Sequence, residues 1–124
     1  MKQTYRVIIA GSRDFYDYGL LEEKCDKLLS RKCATHNIII CSGAARGADR
    51  LGERYAQERG YDIETHRPNW EKEGRSAGMI RNAEMAKEAD ALICFWDGKS
   101  RGTAHMIGLA RKYDLEVRVF NFRR

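Results

Sequence analysis

The sequence predicts an α/β fold, an open parallel sheet of about five strands with helices on both faces. Three observations carry that prediction. Short apolar runs rich in β-branched residues recur along the chain, as "YRVIIA", "IIIC", "ALICF" and "EVRVF". Stretches with apolar residues at helical spacing separate them. Turns bearing glycine, "GSRDF", "SGAARGAD" and "WDGKSRGT", follow three of the runs. Parallel strands need crossover connections, and helical crossovers cover both faces of a sheet.

Each element has its own signal. Residues 5–10 read as the first strand, ended by Gly11. Leu21, Cys25, Leu28 and Leu29 share one face of the first helix, with Asp17 placed to cap it. Residues 38–41 make the second strand. Leu51 and Tyr55 mark the inward face of the next helix, and Gly60 stops it. "YDIETH", residues 61–66, alternates as a third strand near an edge, and Pro68 closes it. Residues 66–76, "HRPNWEKEGRS", read as one long irregular loop, a candidate lid. Met79, Ala83 and Ala86 give the third helix its inward face. Residues 91–95 form the most apolar strand, Ala104, Ile107 and Ala110 face inward from the fourth helix, and residues 116–120 alternate as the last strand. No linker, repeat or low-complexity segment interrupts the pattern, so one domain over residues 1–124 is expected.

Composition narrows the function. Lys and Arg exceed Asp and Glu by 23 to 18, a formal charge of +5 that helps an anionic partner approach. The basic residues are spread along the chain, apart from Arg118, Arg123 and Arg124 at its end, which read as a solvated tail. The four cysteines include no C-x-x-C pair, and Cys41 and Cys94 end apolar runs as buried thiols do. Cys33 and His36 lack the second close pair that a zinc set needs. Neither a metal nor a cofactor is expected. No signal peptide is visible and no apolar run approaches about 18 residues, so the expected location is the cytoplasm, away from membranes.

The glycine-bearing turns share one place. In an open α/β sheet, strand-to-helix corners line the carboxyl edge, and ligands settle in the crevice where strand order reverses. Glycine admits positive φ and lets another group approach the backbone. Free N–H groups at a helix start, with the helix dipole behind them, favour an anion such as phosphate. Ser42, Gly43 and Gly47 form one expected cradle, and Gly98 and Gly102, with the hydroxyls of Ser100 and Thr103, form another. The same glycines also fit ordinary turns, with Ala44, Ala45 and Ala48 allowing tight helix–sheet packing. Neither turn is a P-loop or a G-x-G-x-x-G dinucleotide motif.

Side chains around these corners supply the candidate chemistry. Gly11 and Ser12 open the first corner, where Arg13 follows, and Arg46 sits in the second; each arginine is placed to fork onto a phosphate or to pair with a loop acid. Arg75 and Arg81 flank the start of the third helix, where the dipole disfavours a cation and an anion would offset it. Trp70 either stacks on a base or anchors the long loop. Asp49 either caps a helix or holds a ribose hydroxyl. Asp97, between an apolar strand and a glycine turn, can accept sugar hydroxyls or stabilise a positive transition state. His105, in the first turns of the fourth helix, reads as a surface histidine before a proton carrier.

Taken together, "GSRDF", "SGAARGAD" and the segment from "NW" through "AGMIRNAEMAKEADALICFWDGKSRGTAHMI" resemble the YspA-like, YpsA-related family of the SLOG superfamily, of the DUF2493 type. The resemblance runs from about Tyr5 to Phe120. It implies a three-layer Rossmann-like fold and binding of nucleotides, nucleotide derivatives or nucleic acid. The superfamily includes the cytokinin-activating phosphoribohydrolases, once misnamed lysine decarboxylases, and the DNA-processing protein that loads recombinase on single strands. The phosphoribohydrolases carry a glycine-rich turn, which Ser42, Gly43, Gly47 and Ala48 resemble. They carry an Arg-Lys pair, where Arg81 and Asn82 stand, and P-G-G-x-G-T-x-x-E, which Gly98, Ser100, Gly102 and Thr103 match in part. Met106 replaces the final glutamate, taken as catalytic in those relatives with the arginine as its companion.

Three functions follow as expectations. The first is binding of a nucleotide or phosphoribosyl-containing derivative, as a sensor or processing factor. The second is hydrolysis of nucleoside 5′-monophosphates at the N-glycosidic bond, with Arg81 holding phosphate and Asp97 or Glu84 stabilising the positive sugar ring. The third is binding of single-stranded nucleic acid along Arg13, Arg46, Arg75, Arg81 and the tryptophans. The resemblance also implies a homo-oligomer, a dimer or higher.

Overall fold

The structure, a computed structural model, describes residues 2–123. Five parallel strands form one sheet: β1 (Gln3–Gly11), β2 (His36–Ser42), β3 (Asp62–Thr65), β4 (Ala91–Trp96) and β5 (Glu116–Asn121). Their order is β3-β2-β1-β4-β5. The chain therefore builds outward from β1 on one side, returns, and builds outward on the other. Strand order reverses between β1 and β4, which pair directly from Val7↔Ala91 to Gly11↔Phe95. This is the Rossmann-like α/β architecture that the sequence predicts, with β3 at an edge.

Helices α1 (Tyr18–Thr35) and α2 (Ala48–Arg59) cover one face, and α4 (Ala77–Glu88) and α5 (Arg101–Lys112) cover the other. Alternation along each strand divides the core between them. Val7, Ile9, Ile93 and Phe95 pack with Leu21, Cys25, Leu29 and Tyr55, while Ile8, Leu92 and Cys94 pack with Met85, Ala86, Met106 and Ile107. Asp17 caps α1, its carboxylate accepting the Leu20 amide at 3.1 Å. Gly60 ends α2 in the left-handed conformation, φ 73°. Cys25, Cys41 and Cys94 are buried free thiols. Arg118 and Arg123 pair with Glu116 and Asp14, so they are tethered rather than a free tail; Arg124 lies outside the described residues.

Two expectations need correction. Residues 66–76 are not one irregular loop. They contain α3 (Trp70–Glu73), capped by Asn69, and a 3-10 turn (Gly74–Ser76) that leads into α4. The inward faces of the last two helices are also rotated. Met79 is 57 % exposed and Ala83 half-buried, whereas Asn82, Met85 and Ala86 are buried. Ala104 is exposed, and Thr103 takes the inward place with Met106, Ile107 and Ala110. In both helices a buried polar residue, Asn82 or Thr103, belongs to the inward stripe that an apolar pattern alone leaves out.

Candidate functional site

The corners after β1, β2 and β4 meet at the carboxyl edge, and Ser12 fastens them together. Its amide donates to the Phe95 carbonyl at 2.9 Å, its carbonyl accepts the Ala48 amide at 3.3 Å, and its hydroxyl accepts the Asp97 amide at 3.0 Å. Ser12 is 1 % exposed, so these bonds are shielded from water. Close contact between the corners also explains two glycines. A Cβ on Gly47, which has φ 79°, would strike the main-chain oxygens of Ser12 and Arg13, and one on Gly11 would strike the Phe95 carbonyl. Phe15 anchors the first corner from below, stacked on Phe95 with ring centroids 4.7 Å apart.

The second corner is not an array of bare amides. The Ala44 amide donates to Ser42 Oγ at 3.1 Å and the Ala45 amide to Asp49 Oδ2 at 3.1 Å. Ser42 in turn donates its hydroxyl to Glu53 at 2.6 Å. Ala44 turns through positive φ, 65°, a conformation L-residues seldom adopt. Asp49 is thereby tied into the corner, 6 % exposed. Burial pushes its carboxyl from the ordinary 3.8 up to about 6, against the pull of the Ala45 amide and of nearby Arg81.

Arg81 reaches this corner from α4. One terminal nitrogen donates to the Gly43 carbonyl and, at 3.2 Å, to the His66 carbonyl, while Nε donates to Asn82 Oδ1 at 3.0 Å. Gly43 leaves room for the guanidinium: a Cβ there would lie 2.5 Å from Arg81 Nη1 and 2.8 Å from Asp49 Oδ2. Desolvation disfavours the Arg81 charge, Asp49 supports it and Arg13 opposes it. Asn82 also approaches the Gly102 carbonyl at 3.4 Å and His105 Nδ1 at 3.3 Å, linking α4 to the first turn of α5.

At the third corner Asp97 Oδ1 accepts the Lys99 and Ser100 amides, both at 2.8 Å. These two amide bonds, the Ser100 one foremost, hold its carboxyl below the ordinary range. One oxygen of Asp97 is thus committed to shaping the turn, in which Gly98 has φ 82°. The start of α5 has no side-chain cap from Ser100, whose hydroxyl instead meets Thr103 Oγ1 at 3.1 Å. A Cβ on Gly102 would meet nothing within 4 Å, so that position faces open space.

The crevice has three adjoining hollows. A notch of about 100 Å³ is lined by Asp49, Arg81, Asn82, Gly102, Thr103 and Met106, among others. A second, of about 470 Å³, carries Arg13, Arg46, Arg67, Arg81 and Trp70. A third, of about 460 Å³, includes Ser12, Arg13, Asp14, Asp97 and Ser100. Arg13 lines all three. The fold thus gathers the sequence candidates Gly11, Ser12, Arg13, Gly43, Arg46, Asp49, Trp70, Arg81, Asp97, Ser100, Gly102 and Thr103 around one opening. Gly47, Ser42 and Gly98 shape its corners. Arg75 and Glu84 are exposed and line none of these three hollows. Sequence reasoning missed Asn82 and Arg67. Asn82 had the signal of a polar residue at the inward spacing of α4, but nothing in the chain pattern distinguished Arg67.

Among the described residues, Cys41, Glu64 and His66 place one potential metal-ligand atom each within 4.8 Å of one another. Glu64 already pairs with Arg6 at 3.1 Å, and burial pushes the Cys41 thiol up to about 12. The Arg6 pair competes with a cation for the Glu64 carboxylate. No helix among the described residues is long and apolar enough to cross a membrane.

Comparison with known proteins places this crevice in context. Residues 5–72 match the model of the YspA, cpYpsA-related SLOG family. The chain is 35% identical over 118 residues to the Gene 61 protein of Mycobacterium phage D29, covering 90% of this chain and 93% of that protein. The X-ray structure of TM1055 superposes with a TM-score of 0.62 at 21% identity, over 94% of this chain and 72% of that one, and shares the fold. A predicted subunit of tRNA methyltransferase from Methanocaldococcus jannaschii aligns over 96% of this chain and 67% of its own, at 12% identity and a TM-score of 0.44.

Proposed function

The chain belongs to the YspA, cpYpsA-related SLOG family, and from its crevice we propose that it binds a nucleotide or phosphoribosyl-containing derivative, as a sensor or processing factor. One observation carries this reading: Arg81 is held half-buried by main-chain carbonyls, in no ion pair among the described residues, beside the uncapped start of α5. A desolvated guanidinium next to a helix N-terminus favours a phosphate. Asp49 and Asn82 supply the acceptors and donors that sugar hydroxyls need.

Gly102 gives the test. Its Cβ direction is open in the free protein, so the Gly102→Leu side chain enters the space a ligand would take, and a melting curve verifies the fold. Calorimetry with a panel of nucleotides should show the wild type binding and Gly102→Leu at least about tenfold weaker. Unchanged affinity overturns this placement of the ligand. Native mass spectrometry of freshly purified protein reads the other expected partners: a co-purified ligand and further copies of the chain as a homo-oligomer. Ligand-free monomers count against both. The proposed location is the cytoplasm.

A second reading, hydrolysis of nucleoside 5′-monophosphates, is favoured by the position of Asp49. Where relatives carry a glutamate, Met106 lines the notch, and Asp49 lines the same notch. A carboxylate there stabilises positive charge as the N-glycosidic bond breaks. Glu84 lies outside the three hollows and Asp97 lines the third hollow rather than the notch, so in the notch this role falls to Asp49. Incubation with monophosphates should release free base, and Asp49→Asn should abolish release. No free base from any common monophosphate removes this reading and leaves binding alone.

A further inference from the structure

The hollow of about 470 Å³ holds four arginines, Arg13, Arg46, Arg67 and Arg81, and no acidic residue lines it. None of the four is in an ion pair among the described residues. Elsewhere Arg6, Arg50, Arg54, Arg59, Arg118 and Arg123 each meet a carboxylate. Arg31, Arg75, Arg101 and Arg111 also lack an ion pair among the described residues but are dispersed, so what sets the hollow apart is that four such arginines share one lining. Clustered like charges repel: Arg13 acts against the charge on Arg81, although Asp49, outside this hollow, supports that charge. Trp70, 56 % exposed, stands at the wall of the same hollow. A cluster of four arginines without ion pairs beside an exposed aromatic ring points to an anion larger than one phosphate. A single phosphate monoester carries about two charges and three acceptor oxygens, enough for two or three forked guanidinium groups. The volumes agree. The notch, at about 100 Å³, is too small for a nucleotide, while the arginine hollow falls in the range of about 300–1,000 Å³ usual for ligand pockets.

We propose that the arginine hollow receives a second phosphate, so that the ligand carries a pyrophosphate: a nucleoside diphosphate, or a nucleotide extended through a diphosphate bridge. This rests on the nucleotide reading of the crevice. Arg13 and Arg81 line both the notch and the hollow and take the proximal phosphate. Arg67 lines the hollow but not the notch, and with Arg46 it takes the distal phosphate. Trp70 lies against whatever the distal phosphate bears.

The test pairs mono- and diphosphates of the same nucleosides in calorimetry, with inorganic phosphate and inorganic pyrophosphate as probes free of any nucleoside. Arg46→Ala and Arg67→Ala accompany the wild type; both side chains are exposed, and a melting curve verifies each fold. The diphosphate should bind at least about tenfold tighter than its monophosphate, and pyrophosphate should raise the melting temperature more than phosphate does. Each variant should bring the two nucleotide affinities to within about twofold of each other, the larger loss falling on the diphosphate. Equal affinity for mono- and diphosphate in the wild type overturns the inference while the nucleotide reading stands. Equal weakening of both by Arg67→Ala does the same. If no nucleotide binds but pyrophosphate stabilises the wild type and not the variants, the nucleotide reading falls and the pyrophosphate site stands. If nothing binds, both fall.

Discussion

Asp49 shows how a single side chain reports on the crevice. Its carboxyl rises from 3.8 to about 6 on folding because burial penalises the ionised form. An acid raised in this way favours the folded state while protonated. That contribution is full below the ordinary value and is lost as pH climbs through about 6. Asp49→Asn keeps an acceptor for the Ala45 amide and removes the titration. Urea unfolding at about pH 4 and pH 7 should therefore show the variant gaining about 1–3 kcal/mol on the wild type across that interval. A constant difference between the two proteins would contradict the burial argument. Two glycines make a second residue-scale contrast. On Gly52 of α2, a Cβ would come within 2.8 Å of Ile9 Cβ and Cγ2, whereas on Gly108 of α5 it meets nothing within 4 Å. Gly52→Ala should cost about 1–3 kcal/mol through overpacking, while Gly108→Ala should gain up to about 1 kcal/mol of helix propensity. Denaturant midpoints check both signs. The sequence singled out Asp49 by its place after a glycine turn, yet its burial and proton affinity depend on Gly43, Ala45 and Arg81 converging, which the linear chain does not display.

Between elements, the strongest polar tie joins α1 to α2. Tyr55, fully buried, donates its hydroxyl to Asp26 at 2.6 Å, and Arg59 reaches both oxygens of Asp26 at 3.2 and 2.8 Å and Glu22 at 2.8 Å. The Arg59 bonds lead in holding the Asp26 carboxyl below its ordinary range, and burial together with Asp26 pushes the Tyr55 phenol upward. Tyr55→Phe removes one donor and leaves the guanidinium in place, so a loss of about 1–2 kcal/mol in chemical denaturation is expected. A neutral result would mean that Arg59 alone satisfies Asp26. Strand and helix identities were legible here because apolar periodicity and caps, such as Asp17 and Gly60, agree with the fold. The rotated faces of α4 and α5 were not, because Asn82 and Thr103 are buried through hydrogen bonds rather than through hydrophobicity. The turn of α3 hid for a related reason: four residues, "WEKE", carry too little pattern to read, and Asn69 supplies the cap that makes the helix form.

For the molecule as a whole, alternation of strands and helices foretold the sheet, and the sheet order places three corners at one opening. Charge was less legible. Arg13, Arg46, Arg67 and Arg81 are scattered in sequence, yet they face one hollow, so four of the 23 basic residues are gathered where the linear chain shows no cluster. A concentrated cluster engages few phosphates, whereas a single-strand track engages many. With four arginines, any oligonucleotide binding should thus weaken with salt at a logarithmic slope no steeper than about −3, as fluorescence anisotropy across a salt series would show. A slope several times steeper would move the function to single-stranded nucleic acid. The anchoring of Arg81 has a final consequence. Its two outer partners, the oxygens of Gly43 and His66, belong to the polypeptide backbone. Replacing the imidazole of His66 leaves its carbonyl where it stands, so that neighbour can drift in identity while the guanidinium keeps its station. Bare backbone at position 43 has no such latitude, and divergence around the arginine is free on one flank and barred on the other.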